Sequence, residues 1–224
     1  MSPRRVIGVL GGTGAEGSGL ALRWAAAGHE VIIGSRSLEK ARAAAQELTA
    51  QLAGRGSVRG AGNREAAQAA SIVVLAVPYA AQAATAEDVR EALQGKILVD
   101  VTVPLVPPRL DRVQLPNGES AVLALQRQLG NGVKVVSAFQ NVSAVHLKDL
   151  THTIDCDVLV CGDDAQAREV VIEMARDAGL QAWHAGALAN SAAVEALTSV
   201  LIALNKRYKV PASGIRITGL PEGQ

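Results

Sequence analysis

The run Val6-Ile7-Gly8-Val9-Leu10 feeds directly into Gly11-Gly12-Thr13-Gly14-Ala15-Glu16-Gly17, and the helical pattern Leu20, Ala21, Trp24 follows at once. An apolar strand, a glycine-rich turn and a helix start, in that order, restrict the fold more than any other stretch of the chain. Within it Gly12, Gly14 and Gly17 form G-x-G-x-x-G, the spacing of a phosphate-binding turn. The first glycine is expected to permit the tight turn. The second lets backbone approach a pyrophosphate, and the third lets helix and strand pack closely. Backbone N–H groups and the helix dipole then face the anion.

In a chain with 22 glycines this spacing needs support, and the second strand supplies it. Glu30-Val31-Ile32-Ile33-Gly34 ends where a dinucleotide fold reads the adenosine ribose, and the next residues are Ser35 and Arg36, with Lys40 one helical turn on. A carboxylate there would bond the ribose hydroxyls of NAD and repel a 2′-phosphate. A hydroxyl and two cations select the phosphate, so the loop asks for NADP.

The remainder alternates. A helix is expected from Ser37 to about Leu52, a short strand near Val58, a brief helix capped by Asn63, and a buried strand over Ser71 to Pro78. A helix over Ala80 to Leu93 and a strand over Lys96 to Thr102 follow. Then comes a proline-rich loop from Pro104 to Gly118, a helix from Ser120 to Leu129 and a strand from Val133 to Ala138. This alternation gives an α/β fold, a doubly wound parallel Rossmann sheet. A smaller C-terminal α/β lobe follows: a strand from Asp157 to Cys161, an Asp163-Asp164 cap, a helix to Ala178, a strand from Leu180 to His184, a long apolar helix capped by Asn190, and a last strand at 214–219. The expected division is 1–140 for nucleotide binding and 141–224 for a lobe that completes the cleft.

Net charge is +1, which points to small molecules and away from nucleic acid or a membrane surface. The start of the chain leaves no evident room for a signal peptide, and a cytoplasmic protein is expected. Cys156 and Cys161 flank an apolar strand and read as reduced core thiols, and the four histidines show no metal spacing. No Tyr-x-x-x-Lys pair, Ser-His-Asp arrangement or paired carboxylates stand at strand ends, and Asp100 reads as a buried strand or loop residue. That absence favours hydride transfer between two redox cofactors, in which the protein stacks rings and excludes water rather than supplying acid or base.

These residues resemble the NADPH-dependent reductases of coenzyme F420, the deazaflavin hydride carrier. The likeness runs through Gly11-Gly12-Thr13-Gly14, Gly34-Ser35-Arg36 with Lys40, Val77-Pro78, Val103-Pro104-Leu105, Ser137-Ala138, Val160-Cys161-Gly162-Asp163-Asp164, Ala185-Gly186, Asn190-Ser191 and Glu195. The resemblance implies that Thr13, Gly14, Ala15 and Glu16 contact the pyrophosphate by backbone and that Ser35, Arg36 and Lys40 hold the 2′-phosphate. It further implies that Val77, Val103 and Ala144 line the nicotinamide half, with the deazaflavin as co-substrate across it. Pro78, Pro104 and Val142, at strand ends, are expected to add aliphatic walls.

Two positions depart from the family pattern. Gln140 stands where archaeal relatives carry a histidine and is expected to bond the deazaflavin edge. Glu16 stands where an apolar residue is usual and is expected to point to solvent. Other readings of the residues are an NADPH-dependent reductase of a small imine or other organic acceptor, and an NADP-sensing module without turnover. The apolar helix after Asn190 has too broad a stripe for a free surface and should lie against the first lobe or against the same helix of a second subunit, and a homodimer is expected.

Overall fold

The computed structural model describes residues 2–220. The strands are β1 (Val6–Leu10), β2 (Glu30–Ser35), β3 (Val58–Gly62), β4 (Ile72–Leu75), β5 (Ile97–Asp100), β6 (Lys134–Ser137), β7 (Asp157–Gly162) and β8 (Gln181–His184). They form one sheet in the order β3-β2-β1-β4-β5-β6-β7-β8. Every neighbouring pair is parallel except β6 with β7. The reversal of direction on either side of β1 creates the switch point at which such sheets bind ligands, at the carboxyl ends of their strands.

The helices are α1 (Ala15–Ala26), α2 (Leu38–Gln51), α3 (Asn63–Ala69), α4 (Tyr79–Asp88), α5 (Arg90–Leu93), α6 (Ala121–Leu129), α7 (Ala165–Asp177) and α8 (Ser191–Tyr208). They cover both faces of the sheet, which explains why β4 and β5 read as continuous apolar runs. Two hydrophobic clusters result. One is centred on Ile7, Leu20, Trp24 and Phe139, the other on Leu10, Ile32, Val73 and Leu98.

Several boundaries differ from expectation for identifiable reasons. The helix expected over Ala80–Leu93 breaks at Val89, whose φ of −119° and ψ of 10° divide it into α4 and α5. Asn63 is the first residue of α3 and Gly62 its cap. Asn190 makes no capping bond to α8; its Nδ2 instead donates to Ala185 O at 2.7 Å. Residues 214–219 do not form a strand. Asp157 N donates to Ile215 O, but no ladder develops, because Asp157 Oδ2 takes Ile217 N at 2.7 Å in place of a backbone partner. The second half also does not fold back on a sheet of its own. β7 joins β6 through Val136 opposite Gly162 and Ser137 opposite Cys161, so the sheet is continuous across both halves.

Candidate functional site

The phosphate loop is built as the strand dictates, with its glycine roles redistributed. Gly11, not Gly12, takes the left-handed backbone, at φ 77°, and its N–H donates to Gly34 O of β2. Gly12 is required by space: a Cβ there would lie 2.6 Å from Cβ of Ile33. Gly17 lets α1 approach, since a Cβ would meet Gly11 O at 2.9 Å and Ala76 Cβ at 3.1 Å. Gly14, where a Cβ would only touch Gly11 O at 3.4 Å, serves as the cap of α1, in extended backbone, leaving the first N–H groups of the helix without side-chain competition.

A cleft of about 200 Å³ opens beside this loop, lined by Gly11, Thr13 and Gly14, by Ser35 and Arg36 from the end of β2, by Asn63, and by Ala76, Val77, Pro78, Ala81 and Thr85. The glycine-rich loop, the end of β2 and the wall after β4 therefore meet in one groove. Ser35 Oγ accepts from Ser37 N, and Ser37 Oγ caps α2 by accepting from Lys40 N. The side chains of Arg36 and Lys40 are exposed, and among the described residues neither is paired with a carboxylate. Two uncompensated cations at the start of a helix are unfavourable unless an anion joins them.

Larger clefts lie elsewhere. One of about 540 Å³ between β7 and Leu220 is lined by Asp157, Trp183 and Arg216. Its Asp157 already accepts from Trp183 Nε1 at 2.8 Å and from Ile217 N, so it offers little unpaired chemistry.

Val103, half-buried, and Pro104, buried, continue the carboxyl edge beyond β5. Beyond β6, Phe139 is fully buried and adopts φ 73°, an unusual conformation for a bulky residue. Its ring meets Trp24 of α1 edge-on at 5.9 Å, which anchors the turn. The chain then returns through Gln140 and Val142 to Ala144, half-buried on a short 3-10 turn.

That turn corrects two expectations. Gln140 is 3% exposed and faces inward. Its Nε2 donates to Asp100 O at 2.8 Å and Ser137 Oγ at 2.9 Å, so it presents no edge to a ring in the cleft. Val142, 5% exposed, belongs to the core packed beneath Phe139. Glu16 also departs from expectation. It is half-buried, and its Oε1 is sealed from solvent without a hydrogen-bond partner. Burial pushes its carboxyl up to about 8.

Behind the carboxyl edge lies a buried polar network. Asp100, at the end of β5, accepts from Gln82 Nε2 at 2.5 Å and Thr102 N at 2.8 Å. Burial raises its carboxyl to about 6 against these bonds. Glu195 of α8 accepts from Ala121 N and Val122 N, capping α6 from another helix. Burial raises it to about 7, and the Asp100 charge adds to the rise. Thr198 Oγ1 donates to Gln140 O, and Ser191 Oγ lies 2.7 Å from Ser120 Oγ. The signal for Glu195 was available as a carboxylate on the inner side of the most apolar helix. The others were hidden, because glutamine and threonine carry no periodic signature.

Arg23 was also missed. Its buried guanidinium donates to five carbonyls: Leu147 at 2.8 Å, Ala178 at 3.1 Å, His146 at 3.2 Å, Asp149 at 2.8 Å and His152 at 3.1 Å. It ties the helix that bears the phosphate loop to the segment that follows Ala144.

Residues 6–104 match the family described as NADP oxidoreductase, coenzyme F420-dependent. The F420-dependent NADP reductase of Methanothermobacter marburgensis is 44% identical over 223 residues, covering 96% of this chain and 99% of that protein. The protein of the same name from Methanocaldococcus jannaschii is 42% identical, covering 96% and 98%. Among solved structures, a candidate F420-dependent NADP-reductase from Arthrobacter sp. FB24 superposes with a TM-score of 0.81 at 28% identity, covering 96% of this chain and 100% of that one.

Proposed function

Because the chain belongs to the family of F420-dependent NADP reductases, we propose that it passes a hydride between NADP(H) and the deazaflavin coenzyme F420. The observation that carries the reading is the likeness to such reductases over 96% of the chain. The groove agrees with it, since the free cations of Arg36 and Lys40 stand at the end of β2 where a 2′-phosphate is read. Neither a small imine as acceptor nor a sensing role without turnover gains support from any observation.

Ser35, Arg36 and Lys40 take the 2′-phosphate, and the backbone of Thr13, Gly14, Ala15 and Glu16 takes the pyrophosphate. Val77, Pro78, Val103, Pro104 and Ala144 form the wall of the ring half. Aromatic residues make up 2% of the chain, so this wall is aliphatic, built of side chains that lose little rotamer entropy on ordering. With both cofactors bound, NADPH would supply the hydride and solvent the one proton that reduction of the deazaflavin also takes up. The protein has to fix the separation of the two rings and exclude water, and no protein acid or base need touch the reacting atoms.

A homodimer through α8 is part of this reading. The inner side of the helix is docked by Ser191, Glu195 and Thr198, while Val200 at 45%, Leu204 at 39% and Tyr208 at 69% exposure remain on its outer side. Residues Leu188–Tyr208 are long and apolar enough to cross a membrane by composition. The buried polar bonds of that inner side favour a packed helix instead. The buried free thiols of Cys156 and Cys161 fit a reducing, cytoplasmic compartment. The test is to follow the deazaflavin absorbance while NADPH is oxidised. Bleaching in proportion to NADPH consumed is expected, and NADPH oxidation without bleaching overturns the reading.

A further inference from the structure

Glu16 stands in the first turn of α1, where the helix dipole favours a carboxylate, but the dipole does not explain why part of the group is sealed away from solvent. Its Oε1 is buried and unpartnered. A buried carboxylate without a partner is costly, so the group is neutral in the empty site. Burial is the cause that sets its carboxyl at about 8, with no charged neighbour contributing.

Helical spacing shows where it points. Gly19 and Arg23, three and seven residues on, share its face of α1. That face meets the segment after β6: a Cβ at Gly19 would collide with Leu147, and Arg23 holds the carbonyls of His146 and Leu147. Helical side chains lean toward the N-terminus, so the Glu16 carboxyl lies over the start of that segment. This is the β4–β6 half of the carboxyl edge, across the loop from Ser35 and Arg36. A dinucleotide held by its 2′-phosphate at Arg36 and by its pyrophosphate on the loop extends its nicotinamide into that same half.

The charged groups around α1 are committed elsewhere. Arg23 is bonded to carbonyls, His146 stacks on His152 at 4.0 Å, Lys148 pairs with Glu47 of α2, and Asp149 bonds Thr151. From α7, Glu173 pairs with Arg5 and Asp177 with His29. Asp100 is held by Gln82 and Thr102, Glu30 stands at the opposite end of β2, and Arg59 of β3 pairs with Glu65. The charge that differs between the two forms of the nucleotide is on the nicotinamide ring, cationic when oxidised and neutral when reduced.

We propose that Glu16 reads the oxidation state of the bound nicotinamide: it keeps its proton in the empty enzyme and beside the reduced ring, and releases it to solvent when the oxidised, cationic ring binds. The inference rests on the NADP(H) reading above. No covalent bond to the nucleotide forms; one carboxyl O–H ionises, and its proton appears in bulk water. The consequence is a preference for the oxidised nucleotide that grows with pH up to about 8 and levels off above it. An opposite charge at close range lowers a carboxyl by about 1 to 3 units, so the expected change in relative affinity is about tenfold or more.

The test measures dissociation constants of NADP+ and NADPH on the whole protein from pH 6 to 9. Titration of the 2′-phosphate is common to both nucleotides and cancels in their ratio. The NADP+ to NADPH ratio of dissociation constants should fall about tenfold or more between pH 6 and 9 and stay flat in both Glu16→Gln and Glu16→Leu. Calorimetry at pH 7 in buffers of different ionisation heat should show about 0.4 to 0.9 of a proton more released on binding NADP+ than on binding NADPH to the native protein, a difference that Glu16→Gln abolishes. A flat ratio in the native protein, or the same slope in Glu16→Gln, overturns the inference and leaves the assigned reaction standing. Failure to bind either nucleotide overturns both.

Discussion

The two halves of the carboxyl edge are built on opposite principles. On the β2 side, side chains are left uncommitted: Arg36 and Lys40 are exposed and unpaired, and the loop between β1 and α1 presents backbone. On the β5–β6 side, polar side chains are buried and bound to other parts of the protein, as with Asp100, Gln140, Glu195 and Arg23, while Thr102 Oγ1, Gln140 Oε1 and Asn141 Oδ1 are buried without a partner. In the proposed reading the first half binds by charge, and its cations lose their solvent only when the anion arrives. In the proposed reading the second half holds a ring against an aliphatic wall without aromatic stacking, and hydrogen bonds behind that wall make it rigid. Substitutions on the β2 side should therefore change affinity and spare stability, and those on the other side should do the reverse.

Arg23 offers the hardest test of that division. Replacing it with Met leaves five carbonyls without their donor, and orphaned buried acceptors cost about 1 to 3 kcal/mol each before water or relaxation intervenes. A net loss of about 3 kcal/mol or more in denaturant unfolding is expected, with Arg23→Lys recovering part of it. In whatever fraction stays folded, NADPH affinity should hold while the hydride-transfer rate falls. If the loss appeared in NADPH affinity alone, with stability intact, the segment after Ala144 would not depend on this guanidinium.

Asp100 sharpens the comparison through pH. Its folded carboxyl is raised to about 6, so the folded state holds the proton more tightly than the unfolded chain does. Stability through this group is therefore greatest below the unfolded value near 4 and declines as pH rises toward 6. A shift of about two units corresponds to about 3 kcal/mol. Asp100→Asn removes the titration, since an amide can still accept from Thr102 N while Gln82 turns its own amide to match. Unfolding curves at pH 4 and pH 8 should show the gap between native and variant closing, or reversing, at the higher pH. Parallel pH dependence in the two proteins would remove Asp100 as the cause.

The β2 side is tested by Arg36→Ala. A charge-assisted bond contributes about 1.5 to 3 kcal/mol, or about 10- to 150-fold in NADPH affinity. NADH binding and unfolding midpoint should be unchanged. Equal losses for NADH and NADPH would mean that the guanidinium supports the loop and does not read the 2′-phosphate.

The same contrast explains what could be read from the sequence. Gly12, Gly17, Ser35 and Arg36 were legible because backbone turns and exposed charges act locally, at fixed spacing along the chain, and the groove brings Ser35 and Arg36 together with Gly11, Thr13 and Gly14 of the loop. Alternating strands and helices likewise follow from period and length. The other half depends on pairs far apart: Arg23 with His152, Gln82 with Asp100, and Glu195 with the amides of Ala121 and Val122. No spacing rule links such partners, so a glutamine beside a strand end looks like a ligand contact when it is internal bracing. Phe139 shows the same limit, because its left-handed backbone is stabilised by Trp24 more than a hundred residues earlier.

The smallest expected effect belongs to Gln140, and it separates bracing from ligand contact most directly. Its amide links Asp100 O to Ser137 Oγ, its Oε1 is buried without a partner, and its own carbonyl receives Thr198 from α8. Gln140→Leu, close in volume, removes two donated bonds and also one unpaired acceptor. The cost of the lost bonds is about 1 kcal/mol each, partly offset because the orphaned oxygen goes with them, and a net loss near 1 kcal/mol is expected. Thr198 still reaches the residue 140 carbonyl, so α8 keeps its seat. The KM for the deazaflavin should stay within about twofold, because no atom of this side chain faces the cleft. A tenfold rise in that KM with unchanged stability would show the side chain turning outward on binding. It would also make Gln140 a ligand contact and not internal bracing.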